Sequence, residues 1–193
     1  APNSWKKYIK TGKFTPLTVK VENRIRNKIE QLPNTENKMK MLLAIHKYFI
    51  EDSTLFEQFA VNIVRYTDPN IINCENTRPV KDGGRDAIGE YKVLSGLTNY
   101  LKTTFALEAK CYKPNRQVGV KETSRLISRI KHREFGIMVT TSFVGTQAYE
   151  EIIKDNHPIA IISGGDIINI LFENDITDIK SLEKYLKKEY PKS

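Results

Sequence analysis

Three charged residues stand where a folding chain gains nothing from them. Asp86 follows the turn Asp82-Gly83-Gly84-Arg85, and Glu108 and Lys110 interrupt the apolar run Phe105-Ala106-Leu107-Glu108-Ala109-Lys110-Cys111. If that run is a strand, alternation puts Glu108 and Lys110 on one face, and Phe105, Leu107 and Cys111 on the other. A carboxylate and an ammonium inside such a strand cost free energy unless they are paired or bind a metal. Phosphodiester hydrolysis gives them a use, because it needs a divalent cation that neutralises charge and acidifies a bound water. Mg²⁺ takes oxygen ligands. The carboxylates of Asp86 and Glu108, with the backbone carbonyl of Ala109, form such a set, and Lys110 beside them would orient the water and stabilise the transition state. The same pair also fits an exposed ion pair on an edge strand.

The charge pattern points to a polyanion. The chain has 31 Lys and Arg against 23 Asp and Glu, a net charge of +8. This favours nucleic acid first and an anionic membrane surface second. Eight basic residues and one acid, Glu122, lie between Lys110 and Arg133, while ten acids face six lysines from Glu134 onward. Lys121, Arg125 and Arg129 recur every four residues after the Lys110 strand, so a helix there carries a basic stripe. The stripe, with Lys113 and with Arg85 beside Asp86, is expected to hold DNA phosphates, contacts that position a duplex without reading it.

Other chemistries are poorly represented. His46, His132 and His157 lack the spacing of a zinc site. Ser163-Gly164-Gly165 lacks the lysine of a phosphate-binding loop. Cys74 and Cys111 cannot build a disulfide framework and read as free thiols of a reducing cytoplasm. No apolar run nears the roughly 20 residues of a membrane span, and the N-terminus lacks the apolar core of a signal peptide. A cytoplasmic protein is therefore expected. The absent initiator Met suggests trimming or a piece of a longer chain.

The elements that must position these residues follow from periodicity. A chain of 193 residues suffices for one domain burying roughly 70% of its unfolded surface. Helical spacing is read over 19–31, 37–50, 53–66, 118–130, 146–154, 166–172 and 179–189. Strands are read over 85–93, 103–112, 135–141 and 158–162, and 67–81 reads as loop. Strands alternating with helices predict an α/β fold with a central mixed β-sheet flanked by helices. Residues 1–50 are expected to be a helical extension, and 51–193 the core domain.

The segment Val80–Tyr112 resembles the active-site region of Mrr-like restriction endonucleases, of the PD-(D/E)xK nuclease superfamily. The likeness rests on Asp82-Gly83-Gly84-Arg85-Asp86, a spacing of 22 residues, and Leu107-Glu108-Ala109-Lys110-Cys111-Tyr112. It continues through Val118-Gly119-Val120-Lys121, Phe135-Gly136-Ile137-Met138-Val139-Thr140-Thr141-Ser142, Gln147-Ala148-Tyr149 and the segment Ile159–Leu171. Upstream, Leu55-Phe56-Glu57 resembles the family's first core helix, which bears a further active-site Glu. Glu57 also fits a capping box with Thr54. Many Mrr-like members have Gln at the position of Glu108.

The resemblance implies a restriction-endonuclease-like core and Asp86, Glu108, Lys110 and Glu57 as the catalytic set. It implies an Mg²⁺-dependent DNA endonuclease, with Mn²⁺ able to substitute, that is a restriction enzyme or its catalytic domain from a bacterium or archaeon. Double-stranded DNA is the expected partner. A homodimer is expected because two strands need two sites, and a recognition domain is expected elsewhere in a longer chain. A structure-selective or repair nuclease, or a catalytically silent DNA-binding module, are the alternatives on the same fold.

Overall fold

The longest apolar strand of the sequence lies in the middle of the sheet. In a computed structural model, which describes residues 24–76, 87–96, 98–130 and 134–192, strands β1 (Ile71–Asn76), β2 (Ala87–Val93), β3 (Leu101–Lys110), β5 (Phe135–Thr140) and β7 (Ile159–Ile162) form one sheet in the order β1-β2-β3-β5-β7. The β1–β2 and β2–β3 pairs are antiparallel, whereas β3–β5 and β5–β7 are parallel. The sheet is therefore mixed, as expected. A small parallel pair, β4 (Gln117–Val118) with β6 (Phe143–Val144), sits apart from it.

Alternation along the strands sorts side chains into two cores. Ala87, Phe105, Leu107, Ile137 and Val139 face α2 (Glu36–Phe49), α3 (Ser53–Thr67), α6 (Gly164–Glu173) and α7 (Ile179–Glu189). Ala106, Met138 and Ile159 face α4 (Val120–Arg129) and α5 (Thr146–Lys154). Helices thus cover both faces, which the parallel half of the sheet, β3-β5-β7, requires. Residues before position 51 share the first core. Met41, Leu42, Ile45 and Phe49 of α2 are fully buried in it, and Phe49 packs its ring against Phe56, Phe59 and Tyr190.

Two segments differ from the pattern read in the sequence. In the described part of 19–31, helix α1 spans only Lys28–Gln31, because Asn27 caps it: its side chain accepts from the Ile29 and Glu30 amides. What precedes is held by side chains. Arg26 forms a two-pronged pair with Asp166 at 2.8 and 2.9 Å, and Gln31 exchanges two hydrogen bonds with the backbone of Val144. Within 67–81, read as loop, the chain forms β1, an edge strand with a register shift between Ile72 and Glu75 and a left-handed Asn73 at φ 47°. That irregularity removes the alternation by which a strand is recognised in sequence.

One close approach sets the spacing beside the central strand. Gly89 of β2 lies opposite Phe105 of β3, whose ring covers the glycine and stacks on Phe135 at 5.1 Å. A Cβ at position 89 would meet that ring at 2.1 Å. Gly89→Ala is therefore expected to destabilise the fold by about 1–3 kcal/mol through overpacking, measured as a lower urea midpoint at unchanged m-value.

Candidate active site

At the end of β3 the two charged side chains meet. Glu108 and Lys110 point to one face and form an ion pair. Glu108 is not an exposed edge residue: its side chain is 3% exposed and its strand is the middle one of five. Its second oxygen takes the guanidinium of Arg129 from the last turn of α4. The Lys110 ammonium also reaches the Ala109 carbonyl at 3.4 Å. The buried carboxylate is thus compensated by two cations, the condition under which such a charge is tolerated.

Helix α4 brackets this polar face at both ends. Its N-terminal Glu122 accepts from the Gly119 amide at 2.9 Å and from the Tyr112 hydroxyl at 3.0 Å. Burial pushes the Glu122 carboxyl up, but these hydrogen bonds and the nearby Lys110 charge outweigh it and hold it below the usual carboxylate range. Burial and the Glu122 bond push the Tyr112 phenol up, and the Arg116 guanidinium lies 4.0 Å above its ring. Glu122 and Arg129 are two turns apart, on the border of the helix face that buries Thr123 and Leu126. The sequence counted Glu122 only as a stray acid; the Gly119-to-Glu122 spacing was the local sign of its capping role.

Buried hydroxyls hold the strand where its pairing stops. The β3–β5 ladder ends at Lys110 opposite Thr140. Beyond it, Thr140 Oγ1 donates to the Lys110 carbonyl at 2.8 Å and Thr141 Oγ1 to the Tyr112 carbonyl at 2.7 Å, while Ser142 Oγ donates to the Arg116 carbonyl. These bonds satisfy backbone groups that the sheet leaves over. They escape sequence reading because their partners lie 26 to 30 residues away.

The other expected site residues that are described lie on α3, on α4 and beyond the end of β3. Glu57 lies in the second turn of α3, buried at 8% exposure. The cap of that helix is Asp52, not Thr54: the Asp52 side chain accepts from the Leu55 amide at 2.9 Å. Lys113 and Lys121 are exposed and Arg125 is half-buried. Arg129, expected to face phosphate, is turned onto Glu108 in this DNA-free structure, because the buried face of α4 carries its flank against β3. Asp86, Arg85 and His132 lie outside the described residues. Ala87, which follows position 86, pairs with Leu107 next to Glu108.

The donor set fits a divalent cation. Glu108 and the Ala109 carbonyl already present hard oxygens to one cationic group, the Lys110 ammonium, and oxygen is what Mg²⁺ selects. Among the described residues no three His, Cys, Asp or Glu side chains gather into a metal cluster, and no helix is long and apolar enough to cross a membrane.

Comparison with known proteins identifies the class. Residues 51–171 match the restriction endonuclease family model Mrr_cat. The chain belongs to this family, whose members are nucleases that generally use a divalent metal. A solved structure titled DNA modification-dependent restriction endonuclease AspBHI is similar at 39% identity and a TM-score of 0.82, covering 97% of this chain and 48% of that one. A second, MspJI restriction endonuclease in complex with a 27-mer oligonucleotide, shares the fold at 22% identity and a TM-score of 0.76, covering 88% of this chain and 39% of that one. The chain therefore spans about half the length of these proteins or less. No curated protein sequence matches it.

Two outcomes follow from the surroundings of the site. Thr141→Val leaves the partly buried Tyr112 carbonyl without that donor and should cost about 1 kcal/mol, read from denaturant unfolding. His46, buried on α2 near Lys113, has its pKa lowered from 6.5 by burial and then by that charge. Its Nε2 has no hydrogen-bond partner among the described residues. The folded state therefore binds the His46 proton less readily than the unfolded chain. The His46 contribution to stability is complete above pH 6.5 and lost as pH falls below it towards the lowered folded-state value. His46→Phe should flatten that part of the stability–pH curve; an unchanged slope would refute the assignment.

Proposed function

We infer that this chain is the catalytic domain of a restriction-type DNA endonuclease that hydrolyses phosphodiester bonds with Mg²⁺, Mn²⁺ substituting. One observation carries the reading: in a restriction endonuclease family fold, a buried carboxylate, a carbonyl and an ammonium converge at the end of the central strand. Asp86, Glu108 and the Ala109 carbonyl are the groups to hold the metal. Once bound, the cation supplies an acidified water and neutralises charge on the phosphate. Lys110 donates to the attacking oxygen and to the developing negative charge. Glu57 completes the acidic set from α3. Lys113, Lys121, Arg125 and Arg85 hold phosphates of the duplex.

The partners belong to the same reading. The substrate is double-stranded DNA, cut in the cytoplasm by a homodimer with one site per strand. The relative at 39% identity is titled modification-dependent, so DNA carrying modified bases is the substrate class to test first. The bases themselves are read by a recognition domain elsewhere in a longer chain.

A plasmid digest across an Mg²⁺ titration, on modified and unmodified DNA, tests this reading. Cleavage should require the metal. Asp86→Ala, Glu108→Ala and Lys110→Ala should each lower its rate by about 10²-fold or more, with DNA binding kept in a gel shift. Undiminished cutting by Asp86→Ala or Lys110→Ala would sink the mechanism. Binding without cutting at every metal concentration would make the chain a silent DNA-binding module.

A further inference from the structure

The contact between Arg129 and Glu108 serves no purpose in the reaction outlined above, yet it occupies the atoms that reaction needs. Both oxygens of Glu108 are engaged, one by Lys110 and one by Arg129. The side chain is 3% exposed, so water does not stand in for either partner. A divalent cation that takes Glu108 therefore competes with a positive group already on the oxygen it approaches.

The two ties are not equivalent. Lys110 is on the same strand, two residues away, and is already shared with the Ala109 carbonyl. Arg129 comes from another element, 21 residues on, at the end of α4. Its planar fork matches phosphate as well as carboxylate, where a lysine offers a point charge. Arg125 lies one turn earlier and half-buried, and Lys121 is exposed on the same helix. A duplex drawn to α4 thus brings phosphate within reach of the guanidinium that closes Glu108.

We propose that Arg129 is an exchangeable counterion that couples metal binding to DNA binding, a reading that rests on the endonuclease function above. Without DNA, Arg129 holds Glu108 in place and closes its outer oxygen. With DNA, the guanidinium moves to a phosphate and that oxygen becomes available to the cation. Linkage is reciprocal, so the metal then tightens DNA by the factor by which DNA tightens the metal. Arg129 is a positioning residue in this scheme, not a further metal ligand.

The test is Mn²⁺ affinity of the whole chain, by calorimetry, with and without a phosphorothioate duplex that resists cleavage. In the wild type the duplex should tighten Mn²⁺ by about 5- to 150-fold, the usual span of such couplings. In Arg129→Gln the affinity without DNA should rise towards the DNA-bound value, and the ratio should fall towards one. Arg129→Lys, which keeps the charge and loses the fork, should lie between them and covers the case in which the Gln variant does not fold. A ratio unchanged in both variants, or no gain in DNA-free affinity, overturns the exchange. If the wild type cuts no DNA and binds Mn²⁺ in neither state, the endonuclease reading fails with it. If it cuts and binds while the ratio ignores position 129, only the exchange fails.

Discussion

A single carboxylate, almost out of reach of water, governs the architecture around it. Glu108 cannot be buried alone, since an ionised acid in a low-dielectric interior costs several kcal/mol. The protein meets that cost with one cation from the same strand and one from a helix packed across it. The strand must be central for the acid to be buried, and the helix must lie with one flank against the strand for its arginine to arrive. The order of the sheet and the seating of α4 are thus conditions on the site as much as on stability.

The rest of the fold holds this strand still. On one side a large aromatic and aliphatic core takes Phe105 and Leu107; on the other, Ala106 and Met138 pack under α4 and α5. Where the ladder ends, three consecutive hydroxyl residues replace it and fix the carbonyls of Lys110, Tyr112 and Arg116. Polar groups on rigid, satisfied backbone keep their geometry better than groups on loops.

What the sequence disclosed depended on the range of the interaction. The alternation around Phe105–Cys111 is local, and it placed Glu108 and Lys110 on one face, as observed. Helices α5 and α7, with clean periodicity, appear at the limits read for them. The bulged edge strand β1 was missed because it breaks the two-residue period. The cap of α3 fell on Asp52 rather than Thr54, a choice between neighbouring oxygens that depends on where the chain enters the helix. The pairing of Arg129 with Glu108 was not legible, because helical spacing gives the neighbours of Arg129 on α4 but not what α4 packs against. Tyr112 with Glu122, and the Thr140 to Ser142 run, depend on partners brought together by the fold.

Gln31 imitates a strand, giving and taking one hydrogen bond with Val144 as a neighbouring backbone would. Val144 stands two residues beyond Ser142, the last of the hydroxyls that secure the loop leaving β3. Arg26, a few positions earlier, is moored to Asp166 at the start of α6. The segment 24–31 is therefore joined to chain close to the hydroxyls that hold the Lys110 and Tyr112 carbonyls. The region ahead of the family-matched residues is thus tied, through Val144, to the stretch that secures the strand bearing Glu108 and Lys110.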